Sequence, residues 1–263
     1  MIYKLLNITC KIFDKINIMK YIAPSFAFWS IKCSYDETLP YLKYTTRTEN
    51  NIEYIVPLRH YFKDETLPTM LICNGCYEDI GWTDPEQLYK DFNTNICMFE
   101  YSGYGMHTYK ISSESNCYKD VIAVYEYLTK TTNNIIIYGR SLGTGTACYL
   151  ASYLCQNNLQ LPNKLILVSP FISLLQCYFE IYVDTDIFRN YEYAPNITIP
   201  TLIIHGNHDY VTSYSLSVKL SKLFNNLYKF VTLKGRGHND FRCDKYYNSI
   251  KKFILNAVDI DIK

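Results

Sequence analysis

The residues with the clearest potential for chemistry lie in the stretch Ile135-Ile136-Ile137-Tyr138-Gly139-Arg140-Ser141-Leu142-Gly143. An apolar run meets a Gly-x-Ser-x-Gly turn there, and a helical pattern follows. Gly139 and Gly143 would allow a strand to reverse sharply into a helix, which leaves Ser141 on a strained, exposed turn. A serine held in that way can act as a nucleophile. The alternative is an ordinary tight turn whose serine caps the following helix.

A serine nucleophile needs a base and an acid that orients the base. Asp209 follows the apolar run 201–205, and His238 follows the run 229–233. If both runs are strands of a parallel sheet, these two side chains lie at the same edge of the sheet as Ser141. The sequence therefore predicts a Ser141, Asp209 and His238 triad. Alternatively, Asp209 could begin the helix near Ser213, and His238 could be an ordinary loop histidine.

Other acids and histidines compete for these roles. Asp184 and Asp186 follow the sixth apolar run, where some hydrolases place the acid, whereas Asp240 is too close to His238 in sequence to orient its ring easily. His107 lies after Gly103-Tyr104-Gly105 and could line the pocket rim. The remaining histidines are interpreted as structural: His60, His205 and His208.

A second loop is a candidate for binding the oxyanion of a tetrahedral intermediate. Two backbone N–H donors are needed, one from the residue after the nucleophile and one from the loop after the third strand. Leu142 and Cys76 occupy those places. Cys73 and Cys76 have Cys-x-x-Cys spacing but lack a second pair, so we expect no metal site and no cofactor.

The pattern around these residues predicts an α/β protein with a mostly parallel central sheet, helices on both faces and no large cap domain. Two extended runs at 41–46 and 52–58, with Glu49-Asn50-Asn51 as the turn, are expected to pair as an antiparallel hairpin. Continuous apolar runs alternating with amphipathic helices then indicate buried parallel strands. The runs are Thr69 to Cys73, Ile96 to Tyr101, Ile135 to Tyr138, Lys164 to Ser169, Thr201 to His205 and Lys229 to Leu233.

We divide the chain into an N-terminal segment, residues 1–34, and a hydrolase domain, residues 35–263. Five lysines against one aspartate give the segment a charge of +4, and apolar residues lie between them. A basic, apolar segment could lie on a membrane surface, and acylation of Cys10 would add an anchor. The alternative is a helix packed on the body of the protein.

Composition excludes several classes of protein. A formal net charge of +1 without blocks of like charge gives no reason to expect nucleic-acid binding. Ten scattered cysteines are typical of free thiols in a reducing compartment, which favours a cytoplasmic protein. The sequence has no run of about 20 apolar residues that would span a membrane. Lysines interrupt the place where a secretory signal would need its apolar region.

From about Ile22 to Phe253 the chain resembles the α/β-hydrolase superfamily, and most of all the subfamily of α/β-hydrolase domain-containing protein 17. The matching stretches are Glu100-Tyr101-Ser102-Gly103-Tyr104-Gly105, Ile136 to Thr144, Ser169-Pro170-Phe171, Leu202 to Asp209 and Gly237-His238-Asn239-Asp240. The resemblance gives Ser141 the role of nucleophile, Asp209 that of orienting acid and His238 that of base. Where relatives usually have His-Gly-Asn in the oxyanion loop, this chain has Asn74-Gly75-Cys76.

Members of that subfamily are membrane-associated serine hydrolases that remove palmitate from protein cysteines. The resemblance therefore implies a palmitoyl-protein thioesterase whose partners are acylated proteins or lipid-like acyl substrates, on the cytosolic face of a membrane. Two other functions remain open. An elbow and triad fit a generic carboxylesterase or lipase equally well, and the unusual Asn74 and Cys76 would suit a binding protein that has kept the fold without catalysis.

Overall fold

The computed structural model describes residues 27–28, 32–108, 111–179 and 184–255. Most of the N-terminal segment, including Cys10, therefore lies outside the described residues, and the division of the chain at residue 34 stays a prediction. Ala27 is the first described residue, and it is buried.

The described chain forms one eight-stranded sheet in the order β1-β2-β4-β3-β5-β6-β7-β8. Strand β1 pairs antiparallel with β2, and β2 pairs antiparallel with β4. All other neighbours are parallel. The strands are β1 Leu42–Glu49, β2 Ile52–Tyr61, β3 Thr69–Cys73, β4 Asn95–Phe99, β5 Ile135–Arg140, β6 Lys164–Val168, β7 Thr201–Gly206 and β8 Leu227–Leu233.

Helices connect most of the parallel strands. Within the described residues they are α1 Pro85–Phe92, α2 Glu114–Thr129, α3 Leu142–Gln156, α4 Leu174–Phe179, α5 Asn190–Tyr193, α6 Tyr214–Ser221 and α7 Asp244–Leu255, with a 3-10 turn at Ala194–Asn196. Two side chains start their helices by accepting backbone N–H groups: Asp84 accepts from Glu86, and Ser113 accepts from Asn116. None of the described helices is long and apolar enough to cross a membrane.

The first hairpin is tighter than predicted. Glu49 pairs directly with Ile52 and belongs to the strand, so the turn has two residues, Asn50 and Asn51. Both have positive φ, 51° and 62°. This left-handed pair suits the right-handed twist of a hairpin, and asparagine tolerates it better than most residues do. The turn is therefore two residues long and not three.

Strand β5 shows how the sheet is buried on both faces. Ile135 and Ile137 pack into one hydrophobic cluster with residues of α2 and α3, while Ile136 and Tyr138 pack into the other with residues of α1 and α7. Both faces of the strand are apolar because both faces are covered. The predicted fold class, a mostly parallel sheet with helices on both sides, is confirmed.

Candidate active site

Ser141 lies between β5 and α3 in a backbone conformation that few residues adopt, with φ 50° and ψ −120°. Its amide donates to the carbonyl of Val168, at 3.0 Å, which ties the turn to the end of β6. The side chain forms no capping hydrogen bond to the helix. The alternative of a capping serine is therefore wrong, and the strained turn leaves the hydroxyl free for another partner.

The glycines on either side of Ser141 are required by close packing. A Cβ added to Gly143 would collide with the carbonyl of Cys73 and lie 2.6 Å from the carbonyl oxygen of Asn74. A Cβ on Gly139 would lie 2.6 Å from the carbonyl oxygen of Gly143. The start of α3 thus lies directly against the end of β3, and only glycine permits this approach.

His238 bridges the serine and the aspartate. Its Nε2 lies 2.9 Å from Ser141 Oγ, and its Nδ1 lies 2.8 Å from Asp209 Oδ2. The fold thus brings together three residues separated by 97 and 29 positions in the chain. With a proton on Nδ1 facing the carboxylate, Nε2 can accept the hydroxyl proton. The three predicted residues therefore have the contacts of a catalytic triad.

Asp209 is held in place by its own turn. Its Oδ1 accepts from the amides of Val211 and Thr212, both at 2.9 Å, and its Oδ2 accepts from the Thr212 hydroxyl, also at 2.9 Å. Burial opposes the charge, but hydrogen bonds from His205 and His238 outweigh it and hold the pKa of Asp209 well below its usual range. The turn-forming role and the histidine-facing role belong to the same side chain.

His205 is a site residue that the sequence did not reveal. Its Nε2 lies 3.1 Å from Asp209 Oδ2 and 3.2 Å from the carbonyl oxygen of Thr212, and the ring is fully buried. Asp209 therefore has an imidazole on two sides. A histidine four residues before the acid, at the end of the same strand, was the signal available, but an apolar run ending in histidine is equally typical of a structural residue.

His107 was expected at the pocket rim, and that expectation is wrong. The ring is fully buried, with Nε2 3.2 Å from both Asp120 Oδ1 and Ser102 Oγ. Asp120 also pairs with Arg47 Nε at 2.8 Å. The tight Gly103-Tyr104-Gly105 turn directs His107 into this buried cluster rather than towards Ser141. His60 is structural as expected, since it is buried with Nδ1 3.1 Å from the Tyr127 hydroxyl.

The rival acids have other partners. Asp186 accepts from the amide of Leu175 at 2.9 Å, at the start of α4. Asp240 is exposed and accepts from the amide of Gly237 at 2.5 Å, within the loop that carries His238. Asp209 is the carboxylate that meets His238.

The predicted oxyanion donors lie beside the nucleophile. Cys76, Ser141 and Leu142 line the same small cleft, together with Ala27, Phe171, Leu174, Cys177, Val211 and Thr212. Leu142 is the first residue of α3, so its amide belongs to the helix N-terminus, where N–H groups lack partners inside the helix. The cleft is small, with a volume of about 30 Å³.

Cys73 and Cys76 are free thiols. Burial raises the pKa of both, which keeps them protonated and weakly reactive. Within the described residues, no cluster of three or more histidine, cysteine, aspartate or glutamate side chains could hold a metal ion.

The sequence around these residues is similar to that of known serine hydrolases and α/β hydrolase domain-containing proteins. The family described as serine hydrolase FSH1 matches residues 73–239. The α/β hydrolase domain-containing protein aho-3 of Caenorhabditis elegans is 34% identical over 196 residues, covering 71% of this chain and 57% of that protein. Human α/β hydrolase domain-containing protein 17C is 33% identical over 175 residues, covering 63% of this chain and 51% of that protein. The chain thus spans about half the length of these curated relatives.

A solved structure shares the fold at low sequence identity. Est1E from Butyrivibrio proteoclasticus superimposes with a TM-score of 0.60 at 19% identity, covering 81% of this chain and 97% of that chain. The family match and the curated relatives confirm the motif resemblance to the α/β-hydrolase superfamily and its protein 17 subfamily.

Proposed function

The chain belongs to the serine hydrolase family FSH1, and from this premise we propose that Ser141, His238 and Asp209 hydrolyse an acyl ester or thioester. The observation that carries the proposal is the position of the His238 ring, with one nitrogen 2.9 Å from the serine hydroxyl and the other 2.8 Å from a carboxylate. Those are the two contacts that a serine nucleophile needs to lose its proton during attack.

The mechanism has two acyl-transfer steps. His238 Nε2 accepts the proton of Ser141 Oγ as the oxygen attacks the acyl carbonyl, and Asp209 stabilises the imidazolium that forms. The amides of Leu142 and Cys76 donate to the oxyanion. His238 then gives its proton to the departing alcohol or thiol, which leaves an acyl group on Ser141. His238 then takes a proton from a water molecule as the water attacks that acyl group. The bond between the acyl carbon and Ser141 Oγ breaks, His238 returns the proton to Oγ, and the acid leaves.

The finer proposal is a palmitoyl-protein thioesterase. It is supported by the resemblance of the chain to the protein 17 subfamily and by the side chains around Ser141. Phe171, Leu174 and Val211 give the cleft an apolar wall along which an acyl chain can lie. In this proposal Ser141 attacks the acyl carbonyl, and the apolar wall contacts the rest of the acyl chain.

Turnover of a palmitoylated cysteine peptide, compared with that of acetyl and butyryl esters of p-nitrophenol, tests the finer proposal. We expect the highest kcat/KM with the palmitoylated peptide and none with Ser141→Ala. A strong preference for the short esters would instead identify a generic carboxylesterase. That second candidate stays open because an elbow and a triad fit the hydrolysis of many acyl groups equally well.

A non-catalytic binding protein is the candidate from another class, and Asn74 and Cys76 are its supporting residues. It predicts no turnover of any of these substrates. Measurable hydrolysis that is lost in Ser141→Ala would exclude it.

Peripheral membrane contact through residues 1–34 is a separate proposal that rests on the segment's charge of +4. Flotation of the full chain with vesicles of phosphatidylcholine and phosphatidylserine tests it. We expect binding that weakens with salt and that is lost when Lys4, Lys11, Lys15 and Lys20 are replaced by glutamine. Equal flotation of both proteins would contradict a charge-dependent contact.

A further inference from the structure

Arg140, the last residue of β5, contacts two separate loops, one that carries Cys76 and one that carries His238. We propose that Arg140 is a positioning residue for hydrolysis, one that fixes the oxyanion donor and the histidine relative to Ser141. The inference rests on the proposed function, because it concerns the same site. We define the oxyanion loop as residues 74–78 and the histidine loop as residues 237–241.

The first contact is to the oxyanion loop. Arg140 Nη1 donates to Glu78 Oε1 at 2.6 Å, and Glu78 Oε2 accepts from the amide of Gly75 at 3.0 Å. Glu78 thus links the guanidinium to the backbone immediately before Cys76, whose amide is the proposed donor. The loop is also fixed from the other side by the Tyr101 hydroxyl, which donates to the carbonyl of Asn74 at 3.0 Å.

The second contact is to the histidine loop. Arg140 Nη2 donates to Oδ1 of Asn239 at 2.8 Å, and Asn239 is next to His238 in the chain. The guanidinium carbon also lies 5.0 Å from the centre of the Phe241 ring, within the range of a cation–π contact. One side chain therefore reaches both loops from the residue that precedes the nucleophile.

The shape of the site accounts for an arginine there. Its planar guanidinium presents two NH2 groups in a fixed geometry, whereas a lysine ammonium is a single point that cannot reach both partners equally well. The Arg140 side chain is only 13% exposed, so its pairing with Glu78 is partly shielded from water. A Cβ added to Gly75 would lie 2.9 Å from Arg140 Nη1, so the glycine at position 75 leaves room for the guanidinium.

The rate of hydrolysis depends on how accurately the reacting groups are positioned relative to one another. The reacting groups come from three separate chain segments, and none of the contacts within a single segment fixes the others. A misplacement of about 1 Å at a site of this kind can cost about 10²-fold in rate. Arg140 touches none of the reacting atoms itself, so its effect acts through the positions of the Cys76 amide and the His238 ring.

Kinetics of Arg140→Ala on p-nitrophenyl butyrate test the role. We expect kcat to fall by about 10²-fold while KM changes little, because the loss concerns the transition state rather than substrate binding. Added guanidinium, at concentrations far below those that unfold proteins, should restore part of kcat, whereas sodium at the same ionic strength should not. Arg140→Lys should recover less than guanidinium-rescued Arg140→Ala.

Arg236→Ala is the matched control. Arg236 is also close to His238 in the chain, but its side chain is half-exposed. Its Nη1 lies 3.9 Å from Asp240 Oδ2, so the two side chains form only a weak surface ion pair. We expect near wild-type kcat from it. Wild-type kcat in Arg140→Ala would overturn the assignment, as would a loss of kcat that guanidinium does not relieve.

Hydrogen–deuterium exchange separates this inference from the proposed function. Arg140→Ala should exchange faster than wild type at the Gly75 amide and in residues 237–241, with Arg236→Ala unchanged at Gly75. If the wild-type protein hydrolysed no ester, the proposed function would fail while the exchange data still tested Arg140. Unchanged exchange at both loops in Arg140→Ala would overturn the positioning role regardless of activity.

Discussion

Asp209 both stabilises its own turn and contacts two histidines. Its oxygens accept from the amides of Val211 and Thr212 and from the Thr212 hydroxyl, and Oδ2 also meets His205 and His238. So many donors keep the carboxylate ionised and immobile, which lets one nitrogen of His238 keep its proton while the other faces Ser141. The acid is thus held before substrate arrives.

Asp209→Asn tests this role. An amide that turns its NH2 towards His238 Nδ1 favours the wrong tautomer, so we expect kcat on p-nitrophenyl butyrate to fall by about 10⁴-fold with the fold retained. Asp240→Asn, which changes the exposed rival acid in the same way, should keep most of the wild-type kcat. Comparable losses in the two variants would show that Asp209 is not the orienting acid.

Glu100 is a buried carboxyl at the start of the Glu-Tyr-Ser-Gly-Tyr-Gly stretch. It is 1% exposed and accepts from the amide of Ile80 at 3.0 Å. Burial raises the pKa of Glu100 from 4.5 to about 8. A carboxyl with a raised pKa binds its proton more tightly in the folded chain than in the unfolded chain, so folding is favoured while the group is protonated. The contribution of Glu100 to the free energy of unfolding should therefore fall as the pH rises from about 4.5 towards 8.

Glu100→Gln removes this titration while keeping an acceptor for the Ile80 amide. We expect the free energy of unfolding of the variant, relative to that of wild type, to increase as the pH rises from 5 to 8. The difference should level off above the raised pKa. Urea unfolding at several pH values measures it. A difference between the two proteins that does not change with pH would contradict a protonated Glu100.

At the scale of elements, the elbow is the feature most constrained by packing. Gly143 admits the start of α3 against the carbonyl of Cys73, so Gly143→Ala must push strand and helix apart. We expect a loss of at least about 2 kcal/mol in the free energy of unfolding, together with lost hydrolysis. Chemical denaturation and ester turnover measure the two effects.

Gly235→Ala is the informative comparison for Gly143→Ala. Gly235 has φ +72°, but an added Cβ would meet nothing within 4 Å. Gly235→Ala should lower the free energy of unfolding by only about 1 kcal/mol, the cost of an alanine in the left-handed region, and should retain hydrolysis. A Gly143→Ala protein as stable and active as Gly235→Ala would contradict the packing at the elbow.

The elements themselves were largely predictable from sequence. Continuous apolar runs marked the buried strands, because both faces of β5 are covered and nothing in the run needs to be polar. The hairpin turn was predicted one residue too long, since Glu49 looks like a turn residue until its pairing with Ile52 is seen. Strand-end placement also located Ser141, Asp209 and His238, because parallel strands deliver their following loops to one edge.

Residues that act through a partner were not predictable in the same way. Arg140 reaches two loops only because separate segments pack together, so its role leaves no motif in the sequence. His205 lies four residues before Asp209, but that spacing does not distinguish a site residue from a structural one. The same is true of His107, which was expected at the rim and instead joins the buried Arg47 and Asp120 pair. A polar residue at a strand end can face either the site or the core, and only packing decides which.

At the scale of the whole molecule, one sheet carries the fold, the elbow and the three loops of the site. The fold matches that of Est1E over 97% of that chain, whereas this chain spans about half the length of its curated relatives. The sheet and its loops therefore account for the hydrolytic chemistry that we propose. The acyl group, the membrane contact and the protein substrate are proposals that substrate turnover and vesicle binding test.

The central claim is that Ser141 is a nucleophile activated by His238. Labelling of the full chain with a fluorophosphonate probe, followed by mass spectrometry of the adduct, tests it most directly. The account predicts a single covalent adduct on Ser141 in the wild-type protein, much slower labelling in His238→Ala and none in Ser141→Ala. Equal labelling of wild type and Ser141→Ala, or an adduct on another residue, would contradict it.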